Sequence, residues 1–534
     1  MHESAGEIVR VVRDETRIKF VFEGTKGSDS QAGYVFFGRE FVMGTDPADF
    51  FCEYGCMYPF NMVGFFDGKR AVAVIVDDDG FKSIHIHKDE VSCFCEFGFS
   101  VPAERVPLRI KEYDMSRHIL RKMIAEYRAW YAQKYGKLPK SSADLAGCFN
   151  VKRYFFNRSD RFFGSFFEAP RAIFDEGKIA LGPLLEEDNE KLGSVDVALL
   201  FDYAFKDGIR CGNREPFPFG KELLGELNEA IEKSRKERGT RFFAYFDPCF
   251  VEFGSDWDRK YREQLMLRSE SGLPVSVWGE GIWQPDLSNS IWQEECSNYL
   301  REVVAGLDVD GIYLDEIGNG TQIKGKVRGE DYAQLNAESE FVDHLQRNVE
   351  SKSWMCEYPP AAKEAVKLDM VLSDTRTLVN IYRFIFPELK FVRVINCDMP
   401  IGNSIHELNK ALFNGEGIWL DHDVRNEKWY PEKLKKVIRE HTLFKKQYAA
   451  YFESTDAEHC ISSGRKIAVN RLGYEGKNLY LIINDGDTEA ECELCMERAE
   501  EARLVYGNGC ELRQGKGRVL VRMPAYSVGS LWCR

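Results

Sequence analysis

One unit recurs between residues 146 and 423: a short apolar run ending in polar residues, a loop, and a stretch of helical periodicity. The runs read GCFNVKRYFF, VDVALLFDYA, TRFFAYFDP, VDGIYLDEIG, SWMCEYPP, LDMVLSDT, KFVRVINCD and GIWLDHD. Apolar runs of this kind form strands buried on both faces, and strands that alternate with helices pair in parallel. Eight such units predict a closed (β/α)8 TIM barrel, an α/β fold whose strand carboxyl ends share one mouth. A polar cap after a buried strand is common. Here, however, Asp202, Asp247, Asp315, Asp374, Asp398 and Asp421 all fall at such ends, which predicts a ring of carboxylates.

The flanks carry a different pattern. Residues 1–113 alternate apolar and polar positions in bursts such as RIKFVFEG and AVAVIVDDDG, which predicts an N-terminal β domain. The stretch MSRHILRKMIAEYRAWYAQKYG (115–136) then places Ile119, Met123, Tyr127 and Tyr131 on one helical face. This linker helix and the barrel together span 114–440. Strands return in KIAVNRLGYEG, KNLYLIINDGD, ARLVYGNG and RVLVRMPAYSVGSLWCR, predicting a C-terminal β-sandwich over 441–534.

Composition narrows the function classes. With 72 Lys and Arg against 86 Asp and Glu the net charge is −14, the wrong sign for a nucleic-acid binder. No apolar stretch approaches the roughly 20 residues of a membrane span. The opening MHESAGEIVRVVRDE lacks the basic head and apolar core of a signal peptide, and the 15 Cys are scattered singly. Reduced thiols in a cytoplasmic protein, with neither a membrane nor a nucleic acid as partner, are the expectation. No metal or other cofactor is expected either. His85 and His87 lie in the β domain without a third ligand, and Cys492 and Cys495 lack a second pair. Asp77-Asp78-Asp79-Gly80 lacks the Glu a calcium loop places at its twelfth position, so it reads as a hairpin turn.

The segment DVDGIYLDEIG (308–318) concentrates the chemistry. The helix before it, SIWQEECSNYLREVVAGL, has Ser290 as expected N-cap and Gly306 near its end. Strand alternation sends Asp315 and Glu316 to opposite sides, and Asp315 is the residue expected in the mouth. The next strand delivers Glu357 just before Pro359-Pro360. Carboxylates on neighbouring strands meet the requirement of glycoside hydrolysis, one ionised against an oxocarbenium-like transition state and one protonating the leaving oxygen.

These segments resemble the α-retaining glycoside hydrolases with a (β/α)8 barrel between β domains. The likeness is to the endo-α-N-acetylgalactosaminidase and α-N-acetylgalactosaminidase families and their uncharacterised relatives. It rests on W-Q-x-x-x-x-x-Y-L followed by D-G-I-Y-L-D-E and covers roughly residues 146–423. The resemblance implies a nucleophile at Asp315, an acid/base at Glu357, and a galactose- or N-acetylgalactosamine-type α-glycoside as carbohydrate substrate. The leading β domain is shorter than the large sandwich usual in those relatives. The α-galactosidase clan takes its acid/base from the sixth strand, where this chain has Asp374, so that assignment stays open. If Glu357 is the acid/base, Asp374 becomes a ligand for substrate hydroxyls beside Arg376. Asp202, Tyr203, Asp247, Asp421 and His422 complete the expected sugar shell, and Trp278 and Trp283 are expected as a lid in VSVWGEGIWQPD. Two other classes remain open: a non-catalytic carbohydrate-binding protein on a degenerate barrel, and a barrel metallohydrolase with Asp and His ligands.

Overall fold

A computed structural model describes residues 2–5, 9–22, 33–36, 48–53, 61–66, 70–77, 81–88, 93–99, 102–114, 119–139, 143–156, 171–175, 177–206, 209, 211–269, 271–275, 281–318, 324–327, 330–358, 365–373, 380–395, 400–420, 427–464 and 467–534. The eight predicted strands are β1 (Asn150–Phe155), β2 (Val197–Phe201), β3 (Arg241–Phe246), β4 (Gly311–Leu314), β5 (Ser353–Cys356), β6 (Met370–Ser373), β7 (Lys390–Val394) and β8 (Gly417–Leu420). They close into a barrel in chain order. Every neighbouring pair is parallel, including β1 with β8.

Register decides what fills the barrel. Tyr245, Tyr313, Met355 and Met370 stand side by side on consecutive strands. They belong to an inner cluster with Val197, Leu199, Phe201, Phe243, Val392 and Trp419. The interior is therefore a packed core with an aromatic upper layer. Gly311 makes room for it, since a Cβ there would run into the Phe243 ring.

Helices cover the outside: α2 (Leu181–Leu192), α3 (Lys221–Arg238), α4 (Asp256–Leu265), α5 (Ser290–Gly306), α6 (Gln334–Asn348), α7 (Ile401–Asn414) and α8 (Glu432–Gln447), after the linker helix α1 (Ile119–Tyr135). Glycines end three of them in left-handed conformation: Gly193 after α2, Gly239 after α3 and Gly415 after α7. The N-cap of α5 is Asn289 and not Ser290. Its side chain accepts from the Ile291 N–H at 3.0 Å, so the helix begins one residue earlier than expected.

The N-terminal strands form two antiparallel sheets, one of six strands and one of four. α1 ties them to the barrel, burying Ile119, Met123, Tyr127, Trp130 and Tyr131. The Tyr131 ring stacks edge-on against Phe386 at 4.7 Å. The Tyr127 hydroxyl donates to Asn61 Oδ1 (3.1 Å), whose amide in turn donates to the Val76 carbonyl (2.6 Å), so the buried polar atoms are satisfied. At the other end a five-stranded and a three-stranded sheet enclose Val469, Ile482, Val519, Val521, Met523 and Leu531, a sandwich with its own core. Among the described residues no helix is long and apolar enough to cross a membrane.

Candidate active site

Strand alternation continues past the ends of β3, β4 and β5 and builds the site. Asp247, Asp315 and Glu357 each lie two residues beyond an inward-facing side chain, namely Tyr245, Tyr313 and Met355. The ladder persists for one more step, with Asp315 N–H bonded to the Phe246 carbonyl (2.9 Å) and Glu357 N–H to that of Leu314 (3.2 Å). Three carboxyls on adjacent strands therefore reach the mouth at one level.

Asp315 is held from below by two phenols. The Tyr313 hydroxyl donates to Oδ1 at 2.7 Å and the Tyr245 hydroxyl to Oδ2 at 2.9 Å. Burial raises the Asp315 pKa, but these two hydrogen bonds, the neighbouring Glu357 carboxyl and the positive charge of Arg153 oppose the rise. Glu357 is pushed much further up, by burial and by the negative charges of Asp315 and Glu316. The shared proton therefore belongs on Glu357 and the charge on Asp315. Both residues keep partial exposure at the mouth, whereas Asp247 is 6% exposed. The two phenols are themselves pushed well above their usual range by burial and by the Asp315 carboxylate, so they stay protonated as donors.

Glu316, next along the chain, is buried, and its charge acts on both Glu357 and Asp247. Its backbone is left-handed (φ 57°), and its N–H donates to Glu357 Oε2 at 3.0 Å. Two residues on, Gly318 has φ 107°, and a Cβ there would run into the Tyr358 carbonyl. The D-E-I-G turn thus packs against the end of β5 and fixes the Glu357 side chain.

Asp247 Oδ1 accepts the Cys249 N–H at 2.8 Å, an Asx turn that steers the chain out of β3. Burial and the charges of Asp315 and Glu316 push its pKa well up. Asp202, at the end of β2, is 7% exposed and left-handed (φ 61°). Tyr203 beside it is buried and donates to the Tyr245 carbonyl at 2.6 Å. Asp202, Tyr203, Tyr245 and Asp247 line one cleft with Cys211, Asn213, Trp257 and Tyr299.

The structure thus brings together Asp315, Glu357, Asp247, Asp202 and Tyr203, the last with its hydroxyl already engaged. Trp283 does not join them, contrary to its expected place in a lid. It is fully buried, and its indole N–H donates to Asp258 on α4 at 2.8 Å, which makes it a packing residue of the β3–α5 connection. Trp278, Asp374, Arg376, Asp421 and His422 lie outside the described residues. Asp77 is described, and Lys134 and Arg109 hold it in ion pairs. No cluster of metal-binding side chains occurs among the described residues.

Three contributors escaped the reading of the sequence: Tyr245, Tyr313 and Arg153. Each tyrosine sits two residues before a mouth carboxylate, the spacing that puts both side chains on one face. Arg153 is a buried cation between the inner-cluster residues Val151 and Phe155, its guanidinium 4.8 Å from the Phe155 ring and 5.1 Å from that of Phe201. A charge at an inward phase of a barrel strand was the available signal.

Neither a family model nor a curated relative matches the chain. Solved structures do. The cycloalternan-degrading enzyme from Trueperella pyogenes is similar over 99% of this chain and 83% of its own, at 13% identity and a TM-score of 0.62. The alpha-galactosidase AgaA from Geobacillus stearothermophilus, in complex with stachyose, is similar over 98% and 79%, at 12% identity and a TM-score of 0.59. The alpha-N-acetylgalactosaminidase NagBb from Bifidobacterium bifidum is similar over 91% and 89%, at 11% identity and a TM-score of 0.58. At these identities the likeness is one of fold: an eight-stranded parallel barrel with flanking β sheets.

Proposed function

We propose that the chain is a retaining glycoside hydrolase, with residues 114–440 as its catalytic unit and Asp315 and Glu357 as its reacting pair. The observation that carries the reading is the asymmetric carboxyl pair on β4 and β5: two phenols favour the ionised form of Asp315, while burial and the charge of Asp315 favour the protonated form of Glu357. Asp315 attacks the anomeric carbon while Glu357 gives its proton to the departing oxygen. The glycosyl–enzyme ester then breaks when Glu357, now ionised, takes a proton from the attacking water. A double displacement through a glycosyl–enzyme retains the anomer, whereas an inverting pair stands about 6.5–9.5 Å apart to hold a water between its members.

An α-linked galactose- or N-acetylgalactosamine-type glycoside is the substrate class we favour. The D-G-I-Y-L-D-E motif supports it, as does the likeness of fold to an alpha-galactosidase and an alpha-N-acetylgalactosaminidase. Asp202 and Asp247 would accept hydrogen bonds from sugar hydroxyls at the edge of the cleft.

The test is a panel of aryl α- and β-glycosides with wild type, Asp315→Asn and Glu357→Gln, the product anomer being followed by proton NMR. Loss of turnover in Asp315→Asn, and a loss of about 10²–10⁴-fold in Glu357→Gln that lessens with better leaving groups, is expected. Full activity in both variants, or an inverted first product, refutes the assignment. Sugar binding by wild type without any hydrolysis would favour a binding protein on a degenerate barrel.

A further inference from the structure

Of the three side chains that β1 sends into the barrel, Val151, Arg153 and Phe155, one is charged, and the register fixes its height. From Arg153 the ladder runs to Leu199, Phe243, Gly311 and Ser353 on β2 to β5. Carried on through β6, β7 and β8, it meets β1 again at Leu145, eight residues before it started. That is the stagger of an eight-stranded barrel, and it means that equal height advances by one residue per strand. Arg153 therefore stands level with Leu314, three strands on, between the inward-facing Tyr313 and Asp315. Strands three apart in a ring of eight nearly face each other, so Arg153 and Asp315 lie across the interior from one another at one height.

Packing leads from the guanidinium to the same carboxylate. The Phe201 ring that it lies against is 4.0 Å from the Tyr245 ring and 6.0 Å from that of Tyr313. Both of those phenols donate to Asp315. A continuous stack thus joins the cation to the carboxylate. Arginine suits the place, since its guanidinium is weakly hydrated and packs on aromatic faces. Around Asp315 stand Tyr313 on its own strand, Tyr245 and Asp247 on and beyond β3, Glu357 beyond β5, and the Cys211 thiol. Asp247 and Glu357 repel a charge on Asp315, and the charge of Arg153 opposes them.

We propose that Arg153 is a positioning residue of the catalytic pair: set across the barrel from Asp315, its charge keeps the nucleophile anionic while Glu357 keeps the proton. The inference rests on Asp315 and Glu357 being the reacting pair. Arg153 is 7% exposed and acts through the charge on Asp315, from within the barrel. The rings of Phe155 and Phe201 cover the guanidinium, so water and salt screen this attraction little. The arrangement couples two residues that are 162 positions apart in the chain and meet only because the barrel closes.

The experiment combines Arg153→Met, Arg153→Lys and Asp315→Asn in the full chain. On an aryl glycoside hydrolysed by wild type, Arg153→Met is expected to move the acidic limb of kcat/KM toward neutral pH by about one unit, and Arg153→Lys to return most of that shift. Urea unfolding at pH 7 reads the same coupling without turnover. There Arg153→Met should lower the midpoint about twice as far in wild type as in Asp315→Asn. An acidic limb that stays in place, or equal midpoint losses in the two backgrounds, overturns the proposal. An Arg153→Met chain that folds only together with Asp315→Asn supports it, whereas failure to fold in both backgrounds marks a packing role and overturns it. Full activity of Asp315→Asn refutes the catalytic assignment itself, and the midpoint comparison then still decides whether the two charges are coupled.

Discussion

Replacing Tyr313 by Phe removes one atom from the site and tests the division of charge between Asp315 and Glu357. The ring keeps its place, 5.3 Å from Trp419 and 6.0 Å from Phe201, so the upper layer of the barrel stays packed. What is lost is the 2.7 Å hydrogen bond to Asp315 Oδ1. A hydrogen bond to a charged group contributes about 1.5–3 kcal/mol, and about 1.4 kcal/mol corresponds to one pKa unit. Asp315 should therefore become harder to ionise by about 1–2 units. Its carboxylate is the form that attacks, so the acidic limb of the kcat/KM profile should move toward neutral pH by that amount. The alkaline limb, set by deprotonation of Glu357, should move much less. Tyr245→Phe removes the 2.9 Å partner on Oδ2 and should act in the same direction. The assay is kcat/KM against pH on an aryl glycoside hydrolysed by wild type. Carboxylate infrared difference spectra of wild type against Asp315→Asn locate the Asp315 titration without needing turnover. An acidic limb and an infrared titration that both stay in place in Tyr313→Phe would show that the phenols do not hold Asp315 in its ionised form.

Three further perturbations follow from packing and burial. Gly311→Ala sets a methyl group against the Phe243 ring inside the barrel and should cost about 1–3 kcal/mol, read as a lower denaturant midpoint at unchanged slope. Arg393→Met leaves Glu416 buried with Asn380 as its remaining side-chain partner, a loss of about 3–5 kcal/mol that Glu416→Gln in the same chain should largely restore. A double variant no more stable than the single one would contradict it. Burial raises the Asp369 pKa to about 6, from 3.8, while its carboxylate accepts the Trp354 N–H at 2.8 Å. A raised folded-state pKa stabilises the fold below pH 3.8, and that contribution is lost as pH climbs through 6. Asp369→Asn should therefore add about 1–3 kcal/mol at pH 8 and nothing at pH 4, and an equal gain at both pH values would refute the sign.

The barrel was legible because each of its strands announces itself locally. Runs such as VALLF and GIYL are apolar at every position, as strands buried on both faces must be, and glycines such as Gly193, Gly239 and Gly415 mark where helices end. Asp315 and Glu357 could be singled out for the same reason, since strand-end position and alternation are local properties. Trp283 shows the limit. Its sequence neighbourhood suits a lid, yet its indole is tied to Asp258, 25 residues away, and nothing local records that bond.

What the sequence by itself determined was the set of elements and the level at which carboxylates leave the strands. Tertiary structure decided which groups surround them. Parallel register sets Tyr245 beside Tyr313 across 68 residues of chain and aims both hydroxyls at one carboxylate. Closure of the barrel brings Arg153 from the first strand to within electrostatic reach of Asp315 on the fourth. A protonation state is a sum over charges, hydrogen bonds and burial in space, and in a closed barrel the contributors to that sum come from strands far apart along the chain.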